Sequence, residues 1–171
     1  MDIRPATEAD IPGIVAIYNE VIDTSTAVYS VKPVDLADRL AWFVERTAKG
    51  YPVLVALDET GVVGFSTFGD FRSSPGYRYS VEHSVHVRND QRGRGVGEKL
   101  LEALFPPALA LGKHVMIGAI DAANHASIRF HEKIGFTVVG TMPEVGRKFG
   151  RWLDLVFMQR IIDAPGAVRA D

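Results

Sequence analysis

Positions 85 to 97 read Val-His-Val-Arg-Asn-Asp-Gln-Arg-Gly-Arg-Gly-Val-Gly, and a helical pattern begins at once with Glu98-Lys99-Leu100-Leu101-Glu102-Ala103-Leu104. A β-branched, alternating segment that feeds a basic, glycine-rich turn at a helix N-terminus is suited to holding phosphate. Free backbone N–H groups and the positive end of the helix dipole point the same way. Glycine lets a bulky anion approach the main chain and permits positive φ. Arg88, Arg92 and Arg94 add charge that matches phosphate oxygens. A P-loop is excluded, because it needs Gly-Lys-Ser/Thr. A dinucleotide loop needs glycine at its first, third and sixth positions. Here the glycines are Gly93, Gly95 and Gly97, at the first, third and fifth, and Glu98 takes the sixth.

A third pattern fits: Arg/Gln-x-x-Gly-x-Gly/Ala, met by Arg92-Gly93-Arg94-Gly95-Val96-Gly97. It resembles the pyrophosphate loop of the GNAT superfamily of acetyl-coenzyme A-dependent N-acetyltransferases. A second segment, Asn124 to Phe136 (Asn-His-Ala-Ser-Ile-Arg-Phe-His-Glu-Lys-Ile-Gly-Phe), is similar to that superfamily's Asn-x-x-Ala/Ser-x-x-x-Tyr-x-x-x-Gly-Phe element. By itself it reads as a helix with an Asn N-cap and a Gly stop. The two motifs in this order make the resemblance specific. It implies that Val85, His86, Val87 and residues 92–98 (Arg92, Gly93, Arg94, Gly95, Val96, Gly97, Glu98) contact acetyl-CoA, together with Asn124, Ser127 and Lys133. His131 stands where the family has tyrosine, the group that protonates the departing thiolate. Histidine suits that task, with a reference pKa near ~6.5.

Arg72, the strand Glu82 to Val87, His131-Glu132 and the block Gly146 to Asp154 narrow the resemblance to phosphinothricin and methionine sulfoximine (methionine sulfone) acetyltransferases. That group implies an acceptor that is a small amino acid, acetylated on its α-amine. An α-amine of reference pKa ~8 is neutral in roughly a tenth of molecules or fewer at pH 7, and must lose its proton to attack. Glu82 is the expected general base, help worth about 10²–10⁴-fold. On an ideal strand it shares a face with Ser84 and His86, opposite Val81, Val85 and Val87. The resemblance implies that main-chain N–H groups near Val85 polarise the thioester carbonyl and that the strand splays or bulges there. Arginine matches a carboxylate in a bidentate pair, so Arg72 and Arg78 are the expected substrate ligands, with Phe71, Pro75, Gly76 and Tyr77 shaping the pocket. Lys148, Phe149, Arg151 and Trp152 either line that pocket or build a homodimer contact, and their composition favours the contact.

The elements that must position these residues follow from periodicity. Asp2 to Ala6 is a strand. Thr7 caps a helix with an apolar stripe at Ile11, Ile14, Val15, Tyr18 and Val21-Ile22, and Pro33 starts a second helix that ends at Gly50. Strands at 52–57 and 62–68 flank an Asp58-Glu59-Thr60-Gly61 turn, and 78–87 is the long strand into the glycine loop. The next helix runs to Gly112 and is bent or broken by Pro106-Pro107. A strand at 114–120, a helix at 124–134 and strands at 136–141 and 152–158 complete a βααβββαβαββ order. The expectation is an α/β (α+β) GNAT-like fold, a mixed, mostly antiparallel sheet with helices on both faces, in one domain over residues 1–163. Residues 164–171 then form a C-terminal tail.

The 171 residues are 47% hydrophobic and 23% charged, with a net charge of −2 and no cysteine. Near-neutral charge argues against a nucleic-acid or anionic-membrane partner. The lack of thiols removes disulfides and an acyl-cysteine mechanism. No apolar run reaches a membrane span and no signal peptide is visible, so a cytoplasmic location is expected. No His-x-x-x-His pair suggests a metal, and none is expected. Two alternatives stay open at this point: acetyl transfer to another amine (an aminoglycoside, a polyamine or a protein N-terminus), or a non-catalytic acyl-CoA sensor.

Overall fold

The computed structural model describes residues 1–163; the expected tail at 164–171 lies outside the described residues. One seven-stranded sheet organises them: β1 (Asp2–Pro5), β2 (Val53–Asp58), β3 (Gly61–Asp70), β4 (Ser80–Val87), β5 (Val115–Asp121), β6 (Thr137–Lys148) and β7 (Arg151–Ile161). Their spatial order is β1-β2-β3-β4-β5-β7-β6. Every neighbouring pair is antiparallel except β4 and β5.

Helices cover both faces. α1 (Ile11–Thr24) lays Ile11, Ile14 and Ile17 on Val53, Val55 and Phe65, and α2 (Leu36–Ala48) packs Leu40, Trp42 and Phe43 beside them. On the opposite face lie α3 (Val96–Glu102), α4 (Phe105–Ala110) and α5 (His125–Lys133): Leu100, Leu101, Leu104 and Ala108 of the first two and the turn between them, with Ile128 and Phe130 of α5, pack against Leu54, Phe68, Val81, Met116 and Phe136. Leu100, at 0% exposure, sits so deep that Leu100→Ala is worth about 2–5 kcal/mol of stability.

Element boundaries differ from the sequence expectation where a cap or turn takes over. The second helix starts at Leu36, not Pro33, because the Asp35 side chain accepts from the Asp38 N–H at 2.8 Å. The helix after the glycine loop divides into α3 and α4, with Pro106 and Pro107 in the first turn of α4, where their missing N–H groups cost least. The long strand begins at Ser80, because 75–77 forms a 3₁₀ turn. The last two strands are longer than the apolar alternation suggests, since β6 and β7 continue as a hairpin to Lys148 and Arg151. Asp163, the last residue of the expected domain, is held to the core by the His114 ring.

Candidate active site

The site begins where a ladder stops. β4 pairs with β3 without interruption from Val81 to Val87. Its other edge pairs with β5 only at Ser80, Val81 and Glu82, opposite Val115, Met116 and Ile117. Phe71 N donates to Ser80 O and Arg88 N to Val63 O, so the even-numbered residues exchange hydrogen bonds with β3. The main-chain groups of the odd residues therefore point toward β5. The Glu82–Ile117 bridge, closed through Val81 and His83, is the last; beyond it the N–H of Val85 meets no ladder partner and is turned into the opening. The expected splay is present; there is no bulge in β4 against β3.

The opening holds two connected spaces. A cleft of about 370 Å³ is lined by Tyr18, Ala27, Val28, Tyr29, Glu82 to His86, Ala119 to Asp121, Asn124, Ser127, Phe130, His131 and Leu155. A groove of about 500 Å³ runs beside the glycine turn, lined by Val21, Ser25, Ala27, Val85 to Val87, Gln91 to Gly93, Gly95 to Glu98, Asn124, Ala126, Ser127 and Phe130. They share Ala27, Val85, His86, Asn124, Ser127 and Phe130, so the two form one continuous channel. In the turn, Gly93 and Gly95 have φ of +74° and +77°, and a Cβ at either would meet nothing within 4 Å. Backbone conformation, not crowding, demands glycine there, and the main chain stays open to an incoming group. The chemistry of this wall suits a diphosphate joined to an extended amide chain: open turn amides at one end, unpaired strand amides at the other.

The structure brings most of the expected residues to this channel. Arg92 lines the groove and its Nε donates to Val87 O at 3.3 Å. Arg94 does not line the groove; its guanidinium donates to Gln91 Oε1 at 3.2 Å. Asn124 caps α5 by accepting from Ser127 N at 3.1 Å and also borders both spaces. Lys133 does not line either space, and its Nζ is bound to Glu98 Oε2 at 2.7 Å, an ion pair between α5 and α3. The His86 side chain packs edge-on against Tyr18, on the α1 face, and burial drives its pKa down to about 4, with Arg92 and Arg39 adding to the effect.

Glu82 and His131 stand on opposite faces of the sheet, yet both line the cleft, because the separation of β4 from β5 opens a passage through the sheet. Burial raises the pKa of Glu82, and the positive charge of Arg72 partly opposes the rise. Burial lowers the pKa of His131, which its hydrogen bond to Ser127 opposes. His131 Nδ1 lies 2.7 Å from the Ser127 carbonyl oxygen, an acceptor, so Nδ1 carries the proton. Its Nε2 lies 3.2 Å from Nε2 of His83, and the two rings are stacked at 19°. In the neutral pair the His83 Nε2–H must then donate to His131 Nε2. This leaves His83 Nδ1 buried without a partner. Burial, with His131 and His86 adding repulsion, holds the His83 pKa well below its ordinary value. His83 is a site-lining residue that sequence reasoning missed. The alternation of β4 put it on the same face as Val81 and Val85, where an apolar residue is the ordinary occupant.

The expected substrate residues are less converged. Arg72, Pro75, Gly76, Tyr77 and Arg78 are all exposed in the loop before β4, and none lines the cleft. Arg72 stacks on Phe71 with its Cζ 5.1 Å from the ring centroid and reaches Glu82 through its charge. Arg78 Nη1 turns back to Pro75 O at 3.2 Å. Of the Lys148-to-Trp152 block, Phe149 and Trp152 are exposed, whereas Lys148 is buried and belongs to no surface. Among the described residues, no group of three or more His, Asp or Glu side chains is arranged to hold a metal ion, and no helix is long and apolar enough to cross a membrane.

Comparison with known proteins agrees with this geometry. Residues 14–136 match the acetyltransferase (GNAT) family. An L-methionine sulfoximine/L-methionine sulfone acetyltransferase of Pseudomonas aeruginosa is 54% identical over 162 residues, 94% of each chain. The structure of yncA from Salmonella typhimurium with its cofactor acetyl-CoA superposes with a TM-score of 0.95 at 48% identity, covering 100% of this chain and 99% of that one. A phosphinothricin acetyltransferase of Sinorhizobium meliloti, in complex with acetyl-CoA, gives 0.95 at 38% identity, covering 99% and 92%. With the family model spanning most of the chain and full-length relatives this similar, the chain belongs to the GNAT family of acetyltransferases.

Proposed function

We propose that the protein transfers the acetyl group of acetyl-CoA to the α-amine of a small amino acid of the methionine sulfoximine, methionine sulfone or phosphinothricin type. One observation carries the reading. The β4–β5 ladder ends at Glu82 and Ile117, which turns the unpaired Val85 N–H into the junction between groove and cleft. The names of the relatives support the donor and the acceptor class.

Bound acetyl-CoA supplies an acyl group activated as a thioester. The chain's own residues do the rest. The turn amides of 93–97, with Arg92, hold the diphosphate, and the odd-residue amides of β4 orient the arm. The Val85 N–H donates to the acyl carbonyl oxygen, where negative charge builds as the amine attacks. Glu82, held half-buried at the far side of the passage, takes the proton that the amine must shed. Its raised pKa brings it closer to that of the amine and makes it a better base than an exposed carboxylate. Arg72, the expected ligand whose charge acts on Glu82, serves the acceptor's carboxylate. His131 borders the departing sulfur as a neutral imidazole paired to His83, so any proton it gives must first be gained by the pair. The exposed Val138, Val139, Met142, Phe149 and Trp152 along β6 and β7 support a homodimer through that edge.

The deciding experiment measures thiol release from acetyl-CoA across amino acids, polyamines and an aminoglycoside. Turnover with L-methionine sulfone or sulfoximine well above that with polycationic amines is the expected result. Preference for a polycation would replace the acceptor reading. Acetyl-CoA binding without turnover on any amine would leave an acyl-CoA sensor.

A further inference from the structure

Lys148 carries an ammonium and yet is 3% exposed. It ends β6, beside the tight turn into β7. Its Nζ donates hydrogen bonds of 2.7 Å to two carbonyl oxygens, those of Ser25 and Val28. These carbonyls stand three residues apart in the segment that follows α1. The ammonium thus closes a turn from outside, where a main-chain N–H would ordinarily close it from within. Two other contacts hold the same segment. Thr26 Oγ1 donates to the Asp121 carboxylate at the end of β5. The Tyr29 ring lies so close over Gly146 of β6 that a Cβ there would come within 2.4 Å of it.

This segment is a wall of the channel, and its two ends face different halves. Val28 and Tyr29 line the cleft that holds Glu82 but not the groove, whereas Ser25 lines the groove but not that cleft. We propose that Lys148 is a positioning residue for the acceptor amino acid: by strapping residues 25–29 to the β6–β7 hairpin it fixes the width of the acceptor half of the channel and so restricts it to small amino acids. The inference rests on the acyl-transfer reading above. Its physical basis is local. With the ammonium gone, two inward-facing carbonyls lose their donor, and they regain one only by lifting toward water. The lift displaces Val28 and Tyr29 from the cleft; in the groove it moves Ser25 and Ala27 but leaves the turn amides of 93–97 untouched.

The test is steady-state kinetics of Lys148→Met, which keeps the length and the apolar stem, with acetyl-CoA and L-methionine sulfone. The KM for the amino acid should rise about tenfold or more, the KM for acetyl-CoA less than about threefold, and bulkier amino acids should gain in relative kcat/KM. Gly146→Ala, which drives the Tyr29 ring off its seat without touching the ammonium, should move the same constants in the same direction. It also carries the test if Lys148→Met fails to fold. Equal rises in both KM values, or no rise in either, overturns the proposal. Hydrogen exchange of the 26–29 amides, faster in Lys148→Met than in the parent, reads the strap without catalysis, and unchanged exchange overturns it. A parent enzyme inactive on every amino acid would overturn the acyl-transfer reading and the acceptor role together, with the exchange result still deciding whether the strap exists.

Discussion

The groove beside the glycine turn takes most of its wall from two stretches, residues 85–98 and 124–130, with Val21 of α1 and Ser25 and Ala27 of the segment after it added. The cleft takes its wall from α1, the segment after it, the middle of β4, the end of β5, α5 and Leu155 of β7. The two spaces touch, and they differ in what they ask of the chain. A diphosphate is held by main-chain N–H groups, so its site needs only a turn that leaves them open, which is local chemistry. An amino acid acceptor must be held by side chains converging from distant elements, and their convergence is a property of the sheet. Lesions in the two halves should therefore separate in kinetics: cleft variants act on the chemical step and the acceptor, groove variants on acetyl-CoA.

The largest separation is expected from Glu82→Gln. Loss of the base should lower kcat/KM by about 10²–10⁴-fold while leaving acetyl-CoA binding intact. Stability should move the other way. The folded-state pKa of Glu82 is raised by burial, so its contribution favours folding below the ordinary glutamate pKa and is lost as pH rises through the raised value. At pH 7 the buried carboxylate therefore opposes folding, and the amide should unfold at the same temperature or about 1–3 °C higher. A variant with parental turnover would remove Glu82 from the mechanism.

Gly95→Val is the matching lesion in the groove. Valine at φ +77° costs about 1–2 kcal/mol or more in backbone strain, and relief of that strain pulls the turn amides out of line. The KM for acetyl-CoA should rise by about 10–100-fold with little change for the amino acid. A change confined to the amino acid would mean that the two halves are not separable in this way.

This contrast also explains what could be read from the sequence. The turn at Arg92, Gly93, Gly95 and Gly97 and the cap at Asn124 are legible because glycine spacing and an N-cap are local signals, whereas Arg94 of the same turn faces Gln91. The order of elements along the chain follows from alternation and turn residues, and misses arise where caps override propensity, as at Asp35. Nothing local marks His83, whose function depends on α5 laying His131 across it. Lys148 is equally silent. A lysine beside aromatic residues in a hairpin reads as surface, and only the packing of β6 against the segment after α1 shows that its ammonium turns inward. The substrate arginines were inferred from what a carboxylate prefers, and the exposed loop of residues 72–78 carries them at the margin of the cleft.

Arg72→Ala sharpens that margin with an intermediate effect. Arg72 lowers the Glu82 pKa against the pull of burial, so its removal raises that pKa further. The acid limb of the kcat/KM profile should move to higher pH, because a base with a higher pKa is deprotonated over a narrower range. The KM for the amino acid should rise about tenfold from loss of the charge-assisted contact. A shifted limb with an unchanged KM would leave Arg72 as an electrostatic neighbour of Glu82, with the acceptor's carboxylate held elsewhere.

The smallest effect is expected from Lys133→Met, and it is informative for that reason. The resemblance implied that Lys133 contacts acetyl-CoA, whereas the structure gives its ammonium to Glu98, with the lysine side chain 67% exposed. An exposed pair of this kind contributes about 0–1 kcal/mol, so the melting temperature should barely move. If the ion pair is all that Lys133 does, the KM for acetyl-CoA should change by less than about twofold, since an exposed pair already screened by water offers little to lose. A rise of about tenfold, steeper at low salt, would show instead that the ammonium leaves Glu98 for the diphosphate when acetyl-CoA binds. The groove would then have to be redrawn to reach across α5, and its wall would cease to be as local as residues 85–98 make it.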